Sequence, residues 1–162
     1  MLTPYHLFPD DAKVWVYQAN RSFTQDEIGE ISKIIENFAD QWKSHGKDIT
    51  AYTSIYYRRF IVFVADEHKC HVGGCSIADS IKLIQELEHA LNINFFDRLK
   101  ICYKINSDMV GSFPLSQLNE MLDSGKISDD TILFNNSVSN KKDFETKWEV
   151  ALKNSPFVRF IG

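Results

Sequence analysis

"ITAYTSIYYRRFIVFVAD", Ile49 to Asp66, decides how the rest of the chain is read. It is dense in β-branched and aromatic residues, and it is too long for one ordinary strand. Arg58 and Arg59 are its only strong polar interruption. The stretch therefore reads as two strands joined by a tight turn, although no Asn-Gly pair marks where the turn sits.

N-terminal to this pair, "KVWVYQA" (Lys13 to Ala19) has strand composition and strand length. It is followed by Thr24 and, three residues later, Glu27, the pattern of a capping box. Ile28, Ile31, Ile35, Phe38 and Trp42 then recur at helical spacing, with Gly46 as the expected stop. C-terminal to the pair lies "HKCHVGGCSIADS", His68 to Ser80. Here Ser76 is the expected N-cap, with Asp79 as its dipole partner, of a helix carrying Ile77, Ile81, Ile84, Leu87 and Leu91. "RLKICYKIN" (Arg98 to Asn106) alternates Leu99, Ile101, Tyr103 and Ile105 with Arg98, Lys100, Cys102 and Lys104, as a strand with one covered face does. The order β-α-β-β-α-β predicts an α+β fold with a ferredoxin-like core. Its four-stranded antiparallel sheet carries both helices on one face.

The remainder, from Ser107, reads as mainly helical. Leu115, Leu118 and Leu122 form one stripe between Pro114 and Gly125, "DDTILFNN" is a short strand, and Phe144, Trp148 and Leu152 mark a last helix. No linker or repeat divides the chain, so residues 1–162 are expected to form a single domain. In it, a 107–162 extension packs on the 1–106 core and shields the sheet face that the helices leave open.

The chain has 162 residues, 44% of them hydrophobic and 13% aromatic, enough for one substantial core. Its formal charge of -4 gives no diffuse attraction to phosphate backbones or anionic lipid. "RRFIVFVA" also lacks the small residues of the RNA-recognition pattern, so nucleic acid is not an expected partner. No basic leader with an apolar run follows Met1, and no stretch approaches the roughly 20 apolar residues of a spanning helix. The expectation is a cytoplasmic protein without a membrane partner. Cys70, Cys75 and Cys102 are an odd set that suits reduced thiols.

Several phrases together carry a resemblance: "WVYQANR" (Trp15 to Arg21), "WKSHG" (Trp42 to Gly46), "FVADE" (Phe63 to Glu67), "GCSIADS" (Gly74 to Ser80) and "GKISDDTILFNN" (Gly125 to Asn136). The chain resembles, over nearly its whole length, a family of small proteins, mostly from Bacteroidetes, that often carry the label "ABC transporter ATPase". That family has no established activity, so the resemblance implies kinship and no mechanism. The label itself fails on inspection. A P-loop needs G-x-x-x-x-G-K-[ST] to wrap amides round phosphate and supply a lysine, and no such motif occurs.

Three chemistries compete for the 66–80 stretch. His68, Cys70, His71 and Cys75 are metal-ligand types, with Asp66 and Glu67 beside them. Structural zinc sites, however, join two separated ligand pairs, and no second pair exists, so no metal and no cofactor is expected. Cys75 precedes a helix start, where amide dipoles favour a thiolate, and His71 or His45 would be its base. Packing as a small hydrophobe is the plain alternative. Finally, the amides of Gly73, Gly74 and Ser76 could hold an anion, supplemented by Arg21, Arg58, Arg59 or Arg98. A helix that simply caps itself is the competing reading. The edge beside Ile49 to Tyr57 offers a homodimer contact. The favoured expectation is a binding module for a small molecule, an anion in particular, or for a protein. Its site is in Asp66 to Ser80 with Arg21 and His45. The alternative is a thiol-dependent enzyme or redox protein using Cys75 with His71, which leaves open whether the protein is an enzyme.

Overall fold

The computed structural model describes residues 1–162. The hairpin that organised the sequence is present. β4 (Thr50–Tyr56) and β5 (Phe60–Asp66) pair antiparallel, and β1 (Lys13–Gln18) pairs antiparallel with the other side of β5, giving the order β1-β5-β4. The β4–β5 turn is made without glycine. Tyr57 and Arg58 both take positive φ, 53° and 55°, the backbone hand that matches strand twist in tight hairpins.

β5 is buried along both faces, which is why its sequence is a continuous apolar run instead of an alternation. Ile61 and Phe63 face α1 (Gln25–Gln41) and α2 (Gly74–Leu91), packing with Ile31, Ile35, Ile84 and Leu87. Phe60, Val62 and Val64 face the opposite way, against Phe134, Val138, Phe144 and Trp148 of the C-terminal third. Phe60 lies 4.7 Å from Phe134 and 5.0 Å from Trp148 between ring centroids, so the second sheet face is closed by aromatic packing. The helix starts where the capping box placed it: Thr24 accepts from the Glu27 amide, and Glu27 accepts from the Thr24 amide.

The class is α+β with antiparallel sheets, and the departures lie in how the last strands assemble. β6 (Lys100–Lys104) does not join β1. It sits inside a second sheet of order β7-β6-β8-β9, with β7 at Val110–Pro114, β8 at Ile132–Phe134 and β9 at Glu149–Ala151. A four-stranded ferredoxin-like sheet is therefore not formed. The expected one-face alternation of this strand is also corrected. Ile101 and Cys102 are both buried, in different clusters, whereas Leu99 and Ile105 flank the strand and are more than half exposed. A strand covered on both faces cannot be recognised from a period of two.

The C-terminal third is correspondingly not mainly helical. It carries three strands, and its helices are short: α3 covers Leu118–Asp123 and α4 covers Lys141–Lys147. Trp148 caps α4, the chain turns extended into β9, and Leu152 opens a 3-10 turn beyond it, so the Phe144, Trp148, Leu152 spacing spans three elements. Gly46 is not the stop of α1 either. α1 ends at Gln41, and His45 and Gly46, with φ of 51° and 78°, form the turn between β2 (Lys43–Ser44) and β3 (Lys47–Asp48). No helix is long and apolar enough to cross a membrane.

Candidate functional site: a loop that folds on itself and a groove beside it

The "HKCHVGGCS" stretch divides residue by residue. Asp66 accepts the His68 amide at 2.9 Å, a local Asx turn, and Glu67 accepts the Val72 amide at 3.2 Å while pairing with the His71 ring. The His68 ring turns away to Asp11, 2.9 Å off, and that carboxylate pushes the imidazole pKa upward. Cys70 and Val72 point inward and join Trp42, Ile49 and Ala65 in a small apolar cluster. The ligand types thus diverge, and no group of three or more His, Cys, Asp or Glu side chains converges as a metal ion requires.

The start of α2 differs from the reading by three residues. Gly73, not Ser76, is its N-cap, and no side chain caps it. Ser76 lies inside the first turn and is buried. Its hydroxyl donates to the Lys43 carbonyl at 2.7 Å, and its carbonyl accepts from the Trp42 indole at 2.9 Å. Burial of those two bonds explains a serine there without any ligand. The Gly73 amide donates to Ser44 Oγ at 3.4 Å, and a Cβ on Gly73 would stand 3.6 Å from His45 Nε2. Gly73 and His45 are therefore neighbours, whereas Gly74 lies beside a groove and Cys75 is exposed.

Arg21 belongs elsewhere. Its guanidinium forks onto Glu27, both contacts at 2.8 Å, and donates to the Leu91 carbonyl at the far end of α2. At 1.5 Å per residue, the helix separates Arg21 from Gly73 by about 27 Å, so the two cannot hold one small ligand. Arg59 is withdrawn as well. It is buried, donating to the Ala19, Asn20 and Val110 carbonyls and to Ser112 Oγ. Arg58 is exposed at the hairpin tip.

A concavity of about 1330 Å³ runs along the outer edge of β1. One wall is the N-terminal half of α2, with Ile77 and Ile81, the other is the 134–139 segment, and Phe157 and Arg159 also line the groove. Residues of β1 itself, from Lys13 to Gln18, line its length, Phe96 and Arg98 contribute from the connection into β6, and Lys100 from its first position. Of the site residues singled out by sequence, Glu67, His71, Gly74 and Arg98 reach this groove. Lys13, Trp15, Tyr17, Lys100 and Arg159 were missed. The one trace of them in the sequence is an aromatic strand flanked by lysine at Lys13, which is ambiguous between a central strand and an edge.

The backbone explains the groove. Every second residue of β1 turns its amide and carbonyl away from β5. At one end Val14 donates to the Ser139 carbonyl and Ala12 accepts from Lys141, and at the other Asn20 donates to the Asn94 carbonyl. Between these ends Val16 and Gln18 have no backbone partner, because β6, the next strand in line, has joined the second sheet. Only side chains bridge the gap: Gln18 donates to the Lys100 carbonyl and accepts from Asn136.

No protein-family model, curated protein or solved structure matches the chain.

Proposed function

We propose that this protein is a binding module whose ligand occupies the groove along β1 and is anionic. The supporting observation is a local inversion of charge. The chain carries a formal -4, yet the groove is lined by Lys13, Arg98, Lys100 and Arg159 against Asp97 and Glu67, and Glu67 is already paired with His71. A concavity with low-dielectric aromatic walls focuses such a field. We read β1, α1, β4, β5 and α2 as the first five elements of a ferredoxin-like unit in which the place beside β1, usually taken by the last strand, is left to the ligand. A thiol enzyme centred on Cys75 draws less support, because His71 is engaged by Glu67 and Cys75 is not among the groove residues.

The test is calorimetric titration with inorganic phosphate, citrate and oligoglutamate, on the natural chain and on a triple Lys13→Glu, Arg98→Glu, Arg159→Glu variant. All three positions are exposed, so the variant keeps its core. Binding that weakens with salt and drops at least tenfold in the variant is expected. Affinity unchanged by the variant, or no heat from any probe, would reject the reading.

A further inference from the structure

The groove has the features of a strand-shaped site. β1 is six residues long, about 20 Å at strand rise, and its unpaired stretch is bounded at both ends by backbone bonds already made. Val16 and Gln18 therefore offer a short free template whose neighbours are occupied, the arrangement that recruits one extended segment in register. We infer that the partner is an extended acidic peptide segment of another protein that adds to β1 as a fourth strand. This rests on the reading of the groove as the ligand site and narrows it to one class.

Geometry also sets the partner's pattern. Side chains of an added strand alternate between the two walls. On the α2 side they meet Trp15, Tyr17 and Ile77, with Ile81 and Phe96 left 36% and 38% exposed, so apolar residues belong there. On the other side they meet the polar 135–137 run, and carboxylates there answer the groove's Lys13, Arg98, Lys100 and Arg159. Small anions use the charge but leave the backbone groups and the apolar wall uncovered. The groove also exceeds the range of about 300–1,000 Å³ typical of small-molecule pockets. A peptide that alternates apolar and acidic residues uses all three features: main-chain bonds for affinity and alternate pockets for specificity.

The experiment uses an octapeptide alternating valine and glutamate and two versions of it, N-methylated on every second amide in opposite phases. One phase removes the donors that face β1, and the other methylates amides that face away. The expected result is binding by the parent and by one phase, with at least a tenfold loss in the other. Slowed hydrogen exchange should appear at the Val16 and Gln18 amides and not at Trp15 and Tyr17, which are already bonded to β5. Equal tolerance of both phases, or no protection at Val16 and Gln18, would overturn the strand. If citrate or phosphate binds while the peptide does not, the anion groove stands and the peptide inference falls. Protection of the same amides in the protein alone, rising with its concentration, would assign the edge to a second copy and overturn a separate partner.

Discussion

The Arg59 guanidinium donates to Ser112 Oγ at 2.8 Å, linking the hairpin turn of the first sheet to the edge strand of the second. Its other donors go to three backbone carbonyls, and none goes to a carboxylate. A planar fork satisfies four acceptors that a single ammonium cannot reach together. Arg59→Met is expected to destabilise the fold by about 3 kcal/mol, because one buried and two partly buried carbonyls lose their donor. Arg59→Lys should recover only part of that loss. Urea unfolding at constant m-value measures both, and an unchanged midpoint in Arg59→Met would remove Arg59 as the tie between the sheets.

Arg58 holds φ of 55° with an exposed side chain, so it carries backbone strain without a compensating contact. Glycine accepts that conformation freely, and Arg58→Gly should stabilise the protein by up to about 1 kcal/mol, read as a higher melting temperature. Tyr57→Gly should go the other way, since the Tyr57 ring lies 5.2 Å from Phe134 and 6.0 Å from Trp148. The pair of opposite signs separates backbone strain from packing.

Glu27 joins the α1 cap to Arg21. The Arg21 guanidinium, with help from the Thr24 amide, holds its carboxyl down at about 2, against an ordinary 4.5. The folded carboxyl therefore binds fewer protons than the unfolded one between those values. Its stabilisation is complete above about pH 4.5 and lost as pH falls toward 2. Glu27→Gln should flatten that part of the stability profile and weaken the fold at neutral pH. Thr24→Ala should cost about 1 kcal/mol at neutral pH through the lost cap.

The three thiols differ in access. Cys75 is exposed, Cys70 and Cys102 are buried, and burial pushes the Cys102 thiol up to about 11. Mild alkylation of the native protein should modify Cys75 alone, with the other two reacting only after denaturation, as peptide mass mapping would show. Native labelling of Cys102 on the same timescale would mean that the packing between the sheets opens readily.

Local chemistry explains most of what could be read in advance. Thr24 and Glu27 announce a helix start because both groups of the cap lie within one turn. The continuous apolar run of β5 announces a strand covered on two faces, and the pair of arginines marks a turn. Other readings failed where the deciding contact is distant. Ser76 looks like a cap until Lys43 and Trp42 are brought to it, and "HKCH" looks like a ligand cluster until Asp11, Glu67 and the Trp42 cluster draw its side chains apart.

Apart from the short β2–β3 hairpin, the sequence by itself determined the order of the early elements and the class, because periodicity, capping and turn residues act within a few positions of each other. Which edge each strand meets was decided only by the tertiary structure. "KICYK" can pair with any exposed edge, and a strand's own residues do not encode its neighbour. Its place is set by Val110–Pro114 and Leu133, the strands it pairs with, and by burial of Ile101 and Cys102 in two separate clusters. That one choice left Val16 and Gln18 unpaired and opened the groove beside β1.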